Sequence, residues 1–355
     1  MASYDFQRCN VLLVEDNQYI TKLFRNILKT FKFGSIVSAS NGEEAIACLK
    51  SVKLNGTQNI DIIVSDLVMA PINGLLLLRW VRASKDCPNK MIPFMMLSGA
   101  ADEKYVNSAR DLGVNEFLAK PFSVTSVYER ILQLVDRPRQ FVTATTYFGP
   151  DRRRKSSLPS GVQDRREKKE EDVIMVYSKD KLVKPNKPSD VWYWRLPNVL
   201  KGKVSGGAGS NVKGEIPLDL LAEAEEQLER AGLDFLEWAH EYIKTLSKFC
   251  EKALAAKGGR TEHFSDINHL SLELRGQGGT FGYPLISDVS KMLYDCTTEG
   301  CLEDDQALKI VQHHVDAMRA VLRSKMSGDG GDIGKELVSG LKKTIQKTKA
   351  AASVL

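Results

Sequence analysis

The sequence predicts an α/β protein, a doubly wound five-stranded parallel sheet followed by a C-terminal α-helical bundle. Three observations point there. Short apolar runs rich in Ile, Val and Leu alternate with helix-length segments over the first 137 residues, the pattern of a parallel sheet covered on both faces. Four of these runs end in, or lead directly to, a group suited to phosphate or cation chemistry. From about residue 215 to 325 the apolar spacing becomes that of helices and stays so.

The first run, VLLV at 11–14, is followed by Glu15-Asp16. Asn17 to Phe31 then reads as a helix with Ile20, Leu23, Phe24, Ile27 and Leu28 on one face and Asn17 as its N-cap. Residues 35–39 make a second strand, and Asn41-Gly42 opens a helix carrying Ala45, Ile46 and Leu49. The central run, Ile60 to Ser65, ends on Asp66. Taken alone, Asp66 reads as an ordinary strand end or helix cap. It also lies where open α/β sheets place their ligand sites, at a strand's carboxyl end. A loop with Pro71 and Asn73-Gly74 leads into a Leu-rich helix, Leu75 to Val81. The run MIPFMML at 91–97 ends in Ser98-Gly99, and VNEFL at 114–118 is followed by Lys120-Pro121. Helices are expected over 101–111 and 123–136. In a parallel sheet all of these groups gather at one edge.

On Glu15-Asp16, Asp66, Ser98 and Lys120, residues 8–137 resemble the receiver domain of response regulators. The resemblance implies a flavodoxin-like fold over residues 1–137. It implies that Asp66 is the phosphoacceptor, and that Glu15, Asp16, Asp66 and the backbone carbonyl of Val68 hold Mg²⁺. Ser98 and Lys120 would complete the reacting set, and Ser98 and Phe117 the switch. Hard Mg²⁺ favours oxygen ligands. A metal and an ammonium together neutralise a transferring phosphoryl group. The implied partners are a sensor histidine kinase or a phosphotransfer protein, and a downstream protein. No enzymatic activity is expected beyond the domain's own aspartyl phosphorylation and dephosphorylation. Two positions depart from the family pattern. Ala70 stands where Pro is usual, with Pro71 next. Val68 and Ala100 cannot orient a water by hydrogen bonding, which implies slow self-dephosphorylation.

The stretch 138–214 loses periodicity and reads as a basic, loosely structured linker. Between 151 and 214 there are sixteen Lys/Arg against eight Asp/Glu, in a chain whose net charge is +5. A solvated linker, a patch for an anionic partner and self-docking onto the acidic receiver edge all fit. The cluster Trp192, Tyr193 and Trp194 suits either base stacking or pinning the linker to its own domain. No helix-turn-helix, winged-helix or Cys/His finger spacing accompanies it. A DNA-binding transcriptional regulator remains an alternative resting on the basic linker alone.

Residues 215–325 read as four helices in an antiparallel bundle: Leu218 to Leu254 with a kink or break at Gly232, Phe264 to Phe281, Leu285 to Cys296, and Asp304 to Leu322. The second contains NHLSLELRGQGGTFGYP, which resembles the histidine phosphotransfer domain through Leu274, Arg275, Gly276 and Gly282. Leu272 occupies the place of the phosphorylated His and cannot accept a phosphoryl group. At about 100° per residue, Phe264, Ile267, Ser271, Leu274, Gly278 and Phe281 share the core face. Leu272, His269 and Gly276 lie on the other side and, with Arg275, form a candidate docking surface. A phosphorelay intermediate using His269 is the alternative. The Lys-rich tail, 326–355, carries an apolar stripe of Ile333, Leu337, Val338, Leu341 and Ile345. It reads as a partly ordered solubilising tail or a docking segment for a partner or membrane surface.

No run approaches the roughly 18–20 apolar residues of a membrane span. The N-terminus lacks the signal-peptide pattern. None of the six cysteines is in CxxC spacing, so reduced thiols in a cytoplasm are expected. A Cys296/Cys301 redox couple is the weaker reading.

Overall fold

The computed structural model describes residues 2–55, 59–99, 103–152, 174–177, 191–205, 214–256 and 259–352. Along the chain run β1 (Ala2–Ser3), β2 (Val11–Val14), α1 (Gln18–Thr30), β3 (Ile36–Ala39), α2 (Gly42–Asn55), β4 (Ile62–Asp66), α3 (Gly74–Ala83), β5 (Phe94–Ser98), α4 (Glu103–Asp111), β6 (Glu116–Ala119) and α5 (Val124–Asp136). There follow β7 (Phe141–Thr143), β8 (Phe148–Pro150), β9 (Ile174–Val176), β10 (Trp192–Trp194), α6 (Val199–Val204), β11 (Gly214–Glu215), α7 (Leu218–Ala255), α8 (Thr261–Gly278), α9 (Pro284–Cys296), α10 (Asp305–Arg323) and α11 (Gly331–Ala352). These elements divide into two units, Met1–Leu118 with Val124–Ala224, and Ala119–Ser123 with Glu225–Leu355.

The first unit is built on a five-stranded sheet of order β3-β2-β4-β5-β6. β2 pairs in parallel with β3 and with β4, and β4 with β5. Every residue of β2, β4 and β5 is buried, which is why these strands read as unbroken apolar runs. α1 begins where Asn17 Oδ1 accepts the N–H groups of Tyr19 and Ile20 at 3.0 and 3.2 Å, and its expected face is buried.

The stretch 138–214 is less loose than its composition suggests. Its described residues include a second sheet, of order β8-β7-β10-β9. The aromatic cluster is β10, and Trp194 is buried with its Nε1–H donating to Thr143 Oγ1 at 2.7 Å. Phe148 packs edge-on against Trp194. Arg82 of α3 is buried and donates to the carbonyls of Lys90, Ile92 and Gly113 and to Asn115 Oδ1, at 2.7–2.9 Å. Its guanidinium lies 5.2 Å from the Phe141 ring centroid, and burial lowers its pKa to about 10. α6 is held by Lys201 Nζ to Asp136 at 2.9 Å and Lys203 Nζ to Asp61 at 2.5 Å. Tyr4 donates to the same Asp136 at 2.5 Å. Three-residue strands are too short to leave a period in sequence, so only the aromatic residues announced this sheet. Arg152 pairs with Asp111 at 3.2 Å and stacks on Tyr147; Arg153, Arg154 and Lys155 lie outside the described residues.

The second unit holds the helices. α7 runs without a break through Gly232, contrary to the expected kink. A glycine costs about 1 kcal/mol against alanine, which a helix burying Phe235, Trp238, Ala239, Ile243 and Leu246 absorbs. On α8 and just beyond it, Phe264, Ile267, Ser271, Leu274, Gly278 and Phe281 are all buried. Gly282 has φ +83°, a left-handed turn into α9 that glycine adopts without strain. The tail is not merely solubilising. It forms α11, which packs on α10 and α9 and buries Leu341 and Ile345, so the bundle gains a fifth helix; Ile333 of the same stripe stays exposed. Among the described residues no helix is long and apolar enough to cross a membrane.

His314 is fully buried on α10, with Nδ1 2.7 Å from Ile310 O and no partner for Nε2 among the described residues. Burial pushes its pKa down to about 4 from 6.5. The unfolded chain therefore binds a proton at this residue before the folded chain does. Stability from neutral His314 is complete above about pH 6.5 and falls as pH drops toward 4, by up to about 1.4 kcal/mol per pH unit. Unfolding curves of wild type and His314→Leu over this range are expected to differ in slope, the variant being the flatter.

Candidate functional site

The site is assembled by topology. β2, β4 and β5 run in parallel as neighbours, so their carboxyl ends share one edge of the sheet. Asp66 is the last residue of β4, Ser98 the last of β5, and Glu15-Asp16 follow β2 directly. One ligand atom from each of Glu15, Asp16 and Asp66 lies within 4.8 Å of the others. Among the described residues no other group of three His, Cys, Asp or Glu meets this condition. Glu15 and Asp66 are 2% and 3% exposed while Asp16 is exposed, so two acids line the floor and the third faces water. An all-carboxylate donor set of this spread suits a hard divalent cation such as Mg²⁺.

The backbone around these acids is tied on several sides. Thr21 Oγ1 donates to Glu15 O at 3.2 Å, and Asn17 N–H to Glu15 Oε1 at 3.4 Å. Ser65, buried beside Asp66, donates to the Asp66 carbonyl at 2.9 Å. Val68 is half-buried in the loop after β4. That loop is closed by Gly74 N–H to Leu67 O at 3.0 Å and Gly42 N–H to Ile72 O at 2.9 Å. The Asn73 side chain caps α3 through Leu76 N–H at 2.9 Å.

Sequence reasoning marked Asn73-Gly74 as a loop closure but missed why glycine is needed. α3 starts against the Asp66 backbone, and a Cβ on Gly74 would fall on the Asp66 carbonyl oxygen and within 2.8 Å of Met96 Sδ. Ser98 is fully buried, and Phe117 on β6 is half-buried against the sheet core. Lys120 follows β6, the strand beside β5, and is 7% exposed; its segment Ala119–Ser123 groups with the helical unit. Ala100 lies outside the described residues. On α8, His269 is exposed and Leu272 half-buried, whereas Gly276, expected on the outer side, is buried within the helical unit. Arg275 stacks over Tyr294 at 5.5 Å.

The fold and site define a doubly wound α/β module with an acidic edge. Within that class, residues 11–132 match the response regulator receiver domain, and the chain carries that domain there. CheY, the chemotaxis protein of Pseudomonas aeruginosa, is 29% identical over 127 residues, 36% of this chain and 96% of its own length. The transcriptional regulatory protein ResD of Bacillus subtilis is 30% identical over 148 residues, covering 42% of this chain and 55% of ResD. Among solved structures, the receiver domain of the sensor histidine kinase PA1611 from Pseudomonas aeruginosa, with a magnesium ion coordinated in its active site cleft, is 25% identical. It covers 35% of this chain and 94% of that chain, with a TM-score of 0.30.

Gly74→Ala should displace the Asp66 backbone, with overpacking of about 1–3 kcal/mol. Gly340→Ala, where an added Cβ meets nothing within 4 Å, should be neutral or slightly stabilising. Thermal unfolding of both variants against wild type checks the contrast.

Proposed function

We propose that the protein is a response regulator in a two-component phosphorelay and that Asp66 accepts a phosphoryl group from a phosphohistidine on a partner kinase or phosphotransfer protein. The observation that carries the reading is the meeting of the Glu15, Asp16 and Asp66 carboxylates at the sheet edge. An Asp66 carboxylate oxygen attacks phosphorus, the P–N bond breaks, and the donor imidazole keeps the electron pair and takes up a proton. Glu15, Asp16, Asp66 and the Val68 carbonyl hold Mg²⁺, which when bound neutralises phosphoryl charge. Lys120 brings an ammonium to the phosphoryl oxygens from the strand beside β5, and Ser98 a hydroxyl. Ser98 and Phe117 carry the resulting change to the face of β5 and β6.

The helical unit then acts as a docking and regulatory part rather than a relay. Leu272 has no nucleophile, and the motif residues around it, Arg275 and Gly276, serve recognition and packing. Its docking residues are Leu272, His269 and Arg275, with the buried Gly276 packing behind them, and the downstream partner is a protein. Relay through His269 is the alternative, supported by the exposure of that side chain. A DNA-binding role for the connector is less well supported, since Arg195 sits at the end of a folded strand, and Lys201 and Lys203 are spent on Asp136 and Asp61.

Incubation with Mg²⁺ and a phosphohistidine donor should give one acyl phosphate, stable in acid and lost in base, that is absent from Asp66→Asn. An acid-labile phosphate removed by His269→Ala would instead establish the relay. Because Val68 offers no hydrogen bond to an attacking water, the acyl phosphate should be long-lived, and Val68→Asn should shorten it. A lifetime of seconds that Val68→Asn leaves unchanged would overturn that expectation.

A further inference from the structure

The first unit holds a cavity of about 320 Å³ at the amino ends of its sheet strands, away from the carboxyl ends that carry Asp66 and Ser98. Asp61 lies just before β4, Pro93 just before β5 and Asn115 just before β6, and all three line it. Met91, Phe141, Trp194 and Leu196 give it an apolar wall. Its polar groups are mostly donors. Asn115 is 5% exposed, and its Oδ1 accepts from Arg82 Nη2 at 2.7 Å and from the Phe94 N–H at 2.9 Å. Those two bonds fix the orientation of the amide. Its Nδ2 group, with two donors, makes no hydrogen bond among the described residues. Arg137 and Arg195 also line the cavity and have no acidic partner among the described residues. Arg139 brings a third guanidinium, held by the carbonyls of Val114, Asn115 and Asp151. The two acids in the lining are already answered. Asp61 Oδ1 pairs with Lys203 Nζ at 2.5 Å, and Glu116 Oε2 with Arg130 Nη1 at 3.3 Å. Neither Lys203 nor Arg130 belongs to the lining, so the charge of the arginines is left over.

We propose that this cavity is a binding site for a small organic anion, a carboxylate or phosphate ester carried on a body of one or two rings. The volume lies at the lower end of the range for small-molecule pockets, about 300–1,000 Å³, and so suits a compact ligand. An apolar wall with a few convergent polar groups is the usual make-up of such a site. The donors set the sign of the ligand. Guanidinium groups fork onto carboxylate and phosphate alike, and the buried Asn115 amide can be satisfied only by an acceptor. Arg137 and Arg195 are exposed and meet the anionic group at the water side, while the ring body takes the apolar wall. The site is independent of the chemistry proposed for Asp66.

The test titrates the full chain with anilinonaphthalene sulfonate, an aromatic anion that fluoresces on leaving water. Wild type should show saturable binding. Replacing both exposed arginines, Arg137→Gln with Arg195→Gln, should weaken it roughly tenfold, the loss of about one charge-assisted hydrogen bond. Leu196→Trp, which fills the cavity from its wall, should weaken it at least as much. Circular dichroism confirms that each variant keeps its fold, and the arginine pair carries the test if Leu196→Trp does not fold. Phenylnaphthylamine, which has the rings without the sulfonate, should bind wild type roughly tenfold more weakly. Competition then identifies the anion: displacement by benzoate assigns a carboxylate, and displacement by phenyl phosphate a phosphate ester. Absence of saturable binding, binding unchanged in the folded variants, or a neutral analogue that binds equally well overturns the proposal. So does displacement by inorganic phosphate alone or by none of the three competitors. None of these outcomes touches the function proposed for Asp66.

Discussion

Three carboxylates held within 4.8 Å of one another, two of them buried, repel. At an effective dielectric of about 20, each pair of full charges at that distance costs roughly 3 kcal/mol or more. The pairing of β2 with β4 and of β4 with β5 fixes where each carboxylate must sit and so holds them together against this repulsion. A cation relieves the repulsion, whereas a phosphoryl group adds to it unless cations are present. Site chemistry and fold stability are therefore coupled through one electrostatic load.

Several cations elsewhere in the chain are already committed. Arg82 is buried with no acidic partner among the described residues and spends its donors on three backbone carbonyls and Asn115, joining α3 to the approaches of β5 and β6. Lys201 and Lys203 pin α6 to Asp136 and Asp61. Of the sixteen basic residues between 151 and 214, the described Arg152, Lys201 and Lys203 are each paired with an acid. Counting charges measures supply and says nothing of demand: Asp61 and Asp136 lie far away in sequence and create it.

What sequence could reveal follows from the range of the interactions. The acidic edge was legible because each of its residues ends an apolar run, a local signal, and parallel topology does the gathering. The core face of α8 was legible because helical spacing is local too. The sheet around Trp194 was not, since its strands are three residues long and their partners distant. The break expected at Gly232 overweighted a local propensity that burial of Phe235 and Trp238 outweighs. The tail's stripe showed an amphipathic helix but not that Leu341 and Ile345 have a surface to cover. Gly74 and Gly279 look alike in sequence, two glycines at opposite ends of helices. Only the structure shows that one makes room for the Asp66 carbonyl and the other for a proline ring.

Leu272 is half-buried on α8, three residues before Arg275, which stacks on Tyr294. A leucine carries no nucleophile, so this position itself can accept no phosphoryl group. The glycine that follows at 278 is close-packed against the start of α9. On the reading proposed above, this stretch would serve packing and recognition rather than transfer.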